Sequence, residues 1–239
     1  PLLILWLLSP AIARWASLPL RSSSSIPVSP ADSRALRRTA RRTWHFFETF
    51  VSAQDHALPS DNFQEDPKPV LAHRTSPTNI GLYLLSVVAA RDFGWIGTHE
   101  AVERLEATLE TMQSLERCHG HFYNWYDTRD LHPLEPRYVS SVDSGNLAGH
   151  LIALGTACRQ MITGPLVTSE WLGGNEDGLQ LTREALAELG DDQRTHTVTH
   201  PELREAREAL ERAATRHRHH DRGSGRQAPA APTRTQRAG

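Results

Sequence analysis

Residues 78–94 read T-N-I-G-L-Y-L-L-S-V-V-A-A-R-D-F-G. Beyond Asn79 this run is apolar on almost every side, and a helix without a polar face is buried all round. Thr75 or Ser76 can cap its start, and Pro77 suits the first turn, where its missing N–H costs nothing. Gly94 or Gly97 ends it. Residues 144–161, S-G-N-L-A-G-H-L-I-A-L-G-T-A-C-R-Q-M, open in the same way, with Asn146 just before an apolar run. They predict a second helix buried on nearly all sides. Between the two, Thr98 caps a helix running to about Arg117. Val102, Leu105, Leu109, Met112 and Leu115 form one narrow stripe on it, while Glu100, Glu103, Arg104, Glu106 and Glu110 face water. The order is therefore polar loop, buried helix, amphipathic helix, polar loop, buried helix. This is a repeated helical hairpin, inner helix then outer helix. Hairpins that cannot bury themselves singly stack or close into a ring. The fold class expected is all-α, with inner helices as the wall and the loops leading into them on one rim.

Those two loops hold the chemistry. Residues 119–146 place Phe122, Tyr123, Trp125, Tyr126 and Tyr138 among Asn124, Asp127, Arg129, Asp130, Arg137 and Asp143. No period of two or 3.6 runs through them, so they are a poor strand and a poor helix. Residues 55–79 form the matching loop, where prolines 59, 67, 69 and 77 exclude a regular helix. A long loop dense in rings and hydrogen-bonding groups is an expected form for a binding site on a rigid scaffold.

Outward from this centre the signals thin. Residues 1–20 begin with an apolar run that stops at Leu8, too short to span a bilayer, for which about 20 residues are needed. Trp6, Trp15, Arg14 and Arg21 mark a membrane-interface end, and the stretch reads as the end of a transmembrane helix, with a signal-peptide relic and a buried edge as the other readings. Residues 21–31 are a Ser- and Pro-rich linker. A helix capped by Asp32 or Ser33 runs to about Val51, with Leu36, Trp44, Phe47 and Phe50 on an apolar side. Its Arg34, Arg37, Arg38, Arg41 and Arg42 make a solvated face or, less readily, a lipid-headgroup contact. Residues 164–178 are a connection containing Trp171, Leu179–Leu189 a short helix, and 191–216 a peripheral helical region. Residues 217–239 are low-complexity and read as a disordered tail.

Twenty-six basic against 28 acidic side chains leave a net charge of −2, which offers nucleic acid no partner. The 2 cysteines, Cys118 and Cys158, fit no disulfide framework or zinc spacing.

Four strings carry a family resemblance: D-N-F-Q-E-D-P, R-T-S-P-T-N-I-G-L-Y-L-L-S, G-H-F-Y-N-W-Y-D-T and P-R-Y-V-S-S-V-D-S-G-N-L-A-G-H-L. They closely resemble the central glucoamylase-like domain of bacterial cyclic β-1,2-glucan synthases, from about Arg34 to Leu189. The resemblance implies the N-terminal part of an (α/α)6 transglycosylase domain over residues 32–190, an incomplete toroid of inner and outer hairpins. It implies a β-1,2-glucan chain as substrate and the remaining domains of a parent synthase as partners. It also implies attachment to a bacterial inner membrane through the N-terminal segment, with the domain on the cytoplasmic side. The mechanism implied is retaining, with two carboxylates close together. The family motifs bearing that pair lie downstream of anything matched here, so no catalytic residue is assigned and no cofactor is expected.

Sugars are held by rings against their C–H faces and by carboxylates and amides that bond their hydroxyls. On that basis the substrate-binding candidates are Asp61, Asn62, Gln64, Glu65 and Arg74 in the first loop. In the second they are Tyr123, Trp125, Tyr126, Asp127, Asp143 and Asn146. Asp143, at the start of a helix, is stabilised there by the helix dipole and suits a hydroxyl acceptor. The plain alternative is that the rings cap the core while Asp127 closes a turn. Two other classes compete: a helical remnant that binds nothing, and a metal site among His119, His121, Asp127, His132, Asp143 and His150. No pair of these has the spacing of a helical metal site.

Overall fold

The computed structural model describes residues 2–16, 28–165, 170–191, 204–206, 208–212 and 215. The chain divides into two compact units, Pro1–Leu36 and Arg37–Gly239. In the first, α1 (Leu2–Ala16) is helical with Pro10 inside it. At about 1.5 Å per residue it falls short of a hydrocarbon core about 30 Å thick. Among the described residues no helix is long and apolar enough to cross a membrane. Most of the expected linker lies outside the described residues, and α2 (Pro30–Phe50) takes its last two positions. The cap is Ser29, not Asp32 or Ser33: its Oγ accepts from the Asp32 N–H at 3.1 Å, which leaves Pro30 at the first helical position.

In the second unit the core gathers around α3 (Pro77–Asp92). Ser76 caps it by accepting from the Asn79 N–H at 3.2 Å, as the sequence predicts. Gly94 follows the helix with φ of +76°, a left-handed conformation that glycine takes freely. The chain then returns antiparallel as α4 (Thr98–Ser114). Gly97, in extended conformation, is the position before that helix and gives no side-chain cap, so Thr98 is its first residue rather than its cap. The buried side of α4 is Ala101, Leu105, Thr108 and Met112, while Val102 is exposed. Leu105, Met112 and Leu115 of the expected stripe are therefore buried and Leu109 packs against the core, with Thr108 also inside, donating to the Ala57 carbonyl at 2.8 Å. From α2, Trp44 is buried and Phe47 meets Tyr83 of α3, with ring centroids 5.3 Å apart.

The second inner helix, α5 (Ser141–Thr163), runs parallel to α3. Thr78 Oγ1 donates to Asp143 Oδ1 at 2.6 Å where both helices start, and Arg91 donates to the Pro165 carbonyl at 3.2 Å beyond their far ends. Between them Gly81 sits on the His150 ring, leaving no room for a Cβ. The expectation that α5 is buried on nearly all sides fails. Leu147 and Leu154 are its buried residues, and Val142, Ile152 and Ile162 are 69%, 73% and 84% exposed. Among the described residues α3 is the element it packs against extensively, so its far side stays open.

Helix α6 (Glu170–Asp191) is twice as long as the sequence suggests and takes Trp171 and three glycines into its early turns. Gly174 there lies against the Gly94 carbonyl, a contact that any Cβ would block. It also explains the arginines of α2. Asp177 accepts from Arg37 at 2.7 Å and from the Trp95 indole N–H at 2.9 Å. Glu184 accepts from Arg38 at 3.0 Å and Arg42 at 2.7 Å, while Arg41 pairs with Glu48. Arg37, Arg38 and Arg42 therefore dock α6, although Arg38 and Arg42 keep 43% and 62% of their side chains exposed. Residues 204–206, 208–212 and 215 are helical; most of the rest of the expected peripheral helix, and the expected tail, lie outside the described residues.

The loops are not featureless. Three two-residue antiparallel ladders form: β1 (Phe63–Gln64) with β2 (Val70–Leu71), β3 (Arg74–Thr75) with β6 (Tyr126–Asp127), and β4 (Arg117–Cys118) with β5 (His121–Phe122). The second ladder joins the two polar loops, so both lie at the same end of the helical hairpin.

Candidate functional site

The junction of the loops is built from residues 55, 73 and 128. The Thr128 N–H donates to the His73 carbonyl at 3.1 Å, extending the β3–β6 ladder. Beneath it the buried Asp55 carboxylate accepts from the Thr128 hydroxyl, from His73 Nδ1 at 2.8 Å and from the Ser52 hydroxyl at 3.3 Å. Burial pushes this carboxyl up, but the Thr128 and His73 bonds outweigh it and hold its pKa below the ordinary value. No short-range pattern in the sequence links these three positions, which lie far apart in the chain.

On this base the candidates fall into three groups. In the first loop, Arg74 donates to Asp61 at 2.9 Å, and Asp61 also accepts from Asn62 at 3.0 Å and Asn79 at 3.2 Å. The Arg74 guanidinium lies 4.8 Å from the centroid of the Trp125 ring, so it bridges the two loops. Gln64 and Glu65 stand exposed on and beside β1, and among the described residues none of these bonds reaches them.

The second group turns inward. Tyr126 is 0% exposed; its hydroxyl donates to the Glu116 carbonyl and accepts from the Tyr123 N–H, both at 2.7 Å. Burial pushes its hydroxyl pKa up to about 12. No ligand can reach it, so Tyr126 is a core residue and not a binding one. Tyr123 is half-buried and packs edge-on against it, 6.4 Å between centroids. Asp127 is committed to its own turn. Its carboxylate accepts from the Arg129 side chain at 2.9 Å and from the Arg129 N–H at 2.8 Å. The Arg129 bond holds its carboxyl below the ordinary range. For these three residues the plain alternative describes the structure better. An Asp two residues before an Arg was a visible cue for such a turn.

The third group is centred on a residue left out of the candidates. Asn124 is 7% exposed. Its amide is satisfied when its nitrogen donates to Asp143 Oδ2 at 2.9 Å and its oxygen accepts from Tyr138 OH at 2.7 Å and Trp125 Nε1 at 2.8 Å. Asp143, in the first turn of α5, takes Thr78 on its other oxygen, and Asn146 donates to the same Thr78 hydroxyl at 3.2 Å. The start of α3, the start of α5 and the second loop thus share one polar network. It can offer carboxylate lone pairs and a ring face to a neutral polyhydroxy ligand.

No protein-family model matches the chain. Over 199 residues it is 51% identical to the cyclic β-(1,2)-glucan synthase NdvB of Rhizobium meliloti strain 1021. That match covers 82% of this chain and 7% of the synthase. This chain is homologous to one segment of a cyclic β-(1,2)-glucan synthase. Among solved structures it is similar to a glucoamylase-like protein of Bacteroides fragilis, with TM-score 0.46 and 18% identity over 68% of this chain and 38% of that one. A second, from Bacteroides caccae, gives TM-score 0.43 and 17% identity over 64% and 37%.

Within this synthase-like segment the polar network is partly exposed: Trp125 and Asp143 are half-buried and Tyr138 is 47% exposed. Two recesses of about 470 and 400 Å³ lie elsewhere. One is lined by residues of the 51–57 turn and α4, Arg104 and Glu110 among them; the other lies between Arg41, Trp95 and the glycines of α6. Neither contains a candidate residue. Among the described residues no three His, Cys, Asp or Glu side chains are grouped to hold a metal ion.

Proposed function

We propose that this chain supplies part of the β-1,2-glucan-binding cleft of a retaining transglycosylase domain in a larger, membrane-bound synthase. The observation that carries this is the joining of the two loops at the β3–β6 ladder, with Trp125, Arg74, Asn124 and Asp143 assembled beside it. A ring flanked by hydrogen-bonding groups fits the C–H face and hydroxyls of a pyranose. Homology to the glucan synthase supports the choice of glucan. Residues 32–190 are then one arc of an (α/α)6 toroid. Further hairpins of the parent enzyme complete it, on the cytoplasmic side of a bacterial inner membrane. The catalytic carboxylates belong to those further hairpins, so this chain alone has no turnover.

Isothermal titration of the purified chain with linear β-1,2-glucooligosaccharides tests the reading. Binding heat that disappears in Trp125→Ala supports it; no heat with the unaltered chain overturns it. Transglycosylation products from the chain alone, seen by thin-layer chromatography, would overturn the statement on turnover.

A further inference from the structure

The rings of the second loop separate into two kinds. Tyr126 belongs to the core, and Phe122 and Tyr123 pack against it; Trp125 and Tyr138 stand outside that cluster. Tyr138 is 47% exposed, although its polar edge is held: its hydroxyl donates to the Asn124 amide oxygen at 2.7 Å. The Asn124 N–H also donates to the Tyr138 carbonyl at 2.9 Å, and the Leu134 N–H to the Trp125 carbonyl at 2.9 Å. Backbone and side chain therefore fix residue 138 relative to residue 125 twice over. One amide oxygen pins the polar edges of both rings, and the same amide's nitrogen holds Asp143.

We propose that Tyr138 is a second sugar-stacking ring, and that Asn124 is the positioning residue that sets Trp125, Tyr138 and Asp143 as one subsite. This deepens the glucan-binding reading above and rests on it. An exposed aromatic ring immobilised by its polar edge has already lost its rotamer freedom, so stacking on a sugar costs less than it would on a free ring. Arg74 covers one face of Trp125, which directs a pyranose to the opposite face. Asp143 has one bond on each carboxylate oxygen, from Thr78 and from Asn124, and each oxygen keeps a lone pair for a sugar hydroxyl. The subsite thus takes a neutral hexopyranose unit by its apolar face and a hydroxyl edge together.

The test uses the full chain and linear β-1,2-glucooligosaccharides, followed by titration calorimetry. Tyr138→Ala weakens binding about tenfold, and Tyr138→Phe, which keeps the ring face, stays within about threefold of the unaltered chain. Asn124→Ala weakens binding as Tyr138→Ala does and moves the Trp125 indole N–H resonance in an NMR spectrum, while far-UV circular dichroism is unchanged. If the unaltered chain binds and Trp125→Ala does not, yet Tyr138→Ala binds normally, the second ring is refuted and the glucan-binding reading stands. If the unaltered chain does not bind, both fall. Should Asn124→Ala fail to fold, the paired Tyr138 variants decide the matter, because that ring lies outside the core.

Discussion

Helices α3 and α5 open with the same kind of sequence and run side by side, yet they end in opposite circumstances. Around α3 stand α4, α5 and the aromatic residues of α2; Ile80, Tyr83, Leu84, Val87 and Ala90 are all but fully buried. On α5 one flank meets α3, and three large aliphatic residues face outward. An apolar helix surface states a demand for neighbours, and α3 shows it met where α5 shows it unmet. This contrast fits an inner helix at the edge of a larger ring.

The contrast should appear first in the cost of truncating core side chains. Leu84→Ala on α3 removes a fully buried side chain and is expected to cost about 2–5 kcal/mol in denaturant unfolding, as large-to-small core substitutions do. A loss below about 1 kcal/mol would mean that α3 is not the central helix. Gly81→Ala strikes the seam itself, where the new methyl group meets the His150 ring. Overpacking of this kind is expected to cost about 1–3 kcal/mol. Gly81→Ala in a His150→Ala background should recover most of that loss; no recovery would show that the close approach lies elsewhere.

The comparison extends to the loops ahead of the two helices. The loop before α3 is anchored by Asp55, whose folded pKa lies below its ordinary value of 3.8. A carboxylate depressed in this way stabilises the fold fully above its unfolded pKa, and the contribution is lost as pH falls through the folded one. Thermal melts between pH 6 and pH 2 should therefore show stability dropping below about pH 4, and Asp55→Asn should flatten that drop. An identical pH profile in the variant would remove Asp55 from the latch between the loops.

How much of this was legible in sequence follows from the range of each interaction. The cap at Ser76, the Gly94 turn and the α3–α4 hairpin are set by residues a few positions apart, and the sequence showed them. The open flank of α5 is not legible in sequence, because periodicity records what a surface requires and not whether a neighbour is supplied. The docking role of Arg37, Arg38 and Arg42 on α2 is not legible because their partners, Asp177 and Glu184, come about 140 residues later. Within the site, Trp125 and Asp143 were visible as chemistry. Tyr126 was not separable from them, since a ring that caps the core and a ring that meets a sugar share one composition. What divides them is the hydrogen bonding of Asn124 and of the Tyr126 hydroxyl, which only the folded chain displays.

The smallest effect is expected on the open flank, and it carries the comparison furthest. Ile152 is 73% exposed on α5, so it has little apolar area to lose in the folded chain. Ile152→Gln should alter stability by less than about 0.5 kcal/mol, as surface substitutions usually do. The same change on α3, Val87→Gln, buries an amide without a partner and should cost several times more. If α5 marks the edge of an unfinished ring, the two results invert in the longer parent protein. There Ile152 would be covered by the next inner helix, and its replacement by glutamine would cost about as much as Val87→Gln does here. Equal and small effects of Ile152→Gln in both proteins would show that the α5 flank faces water by design.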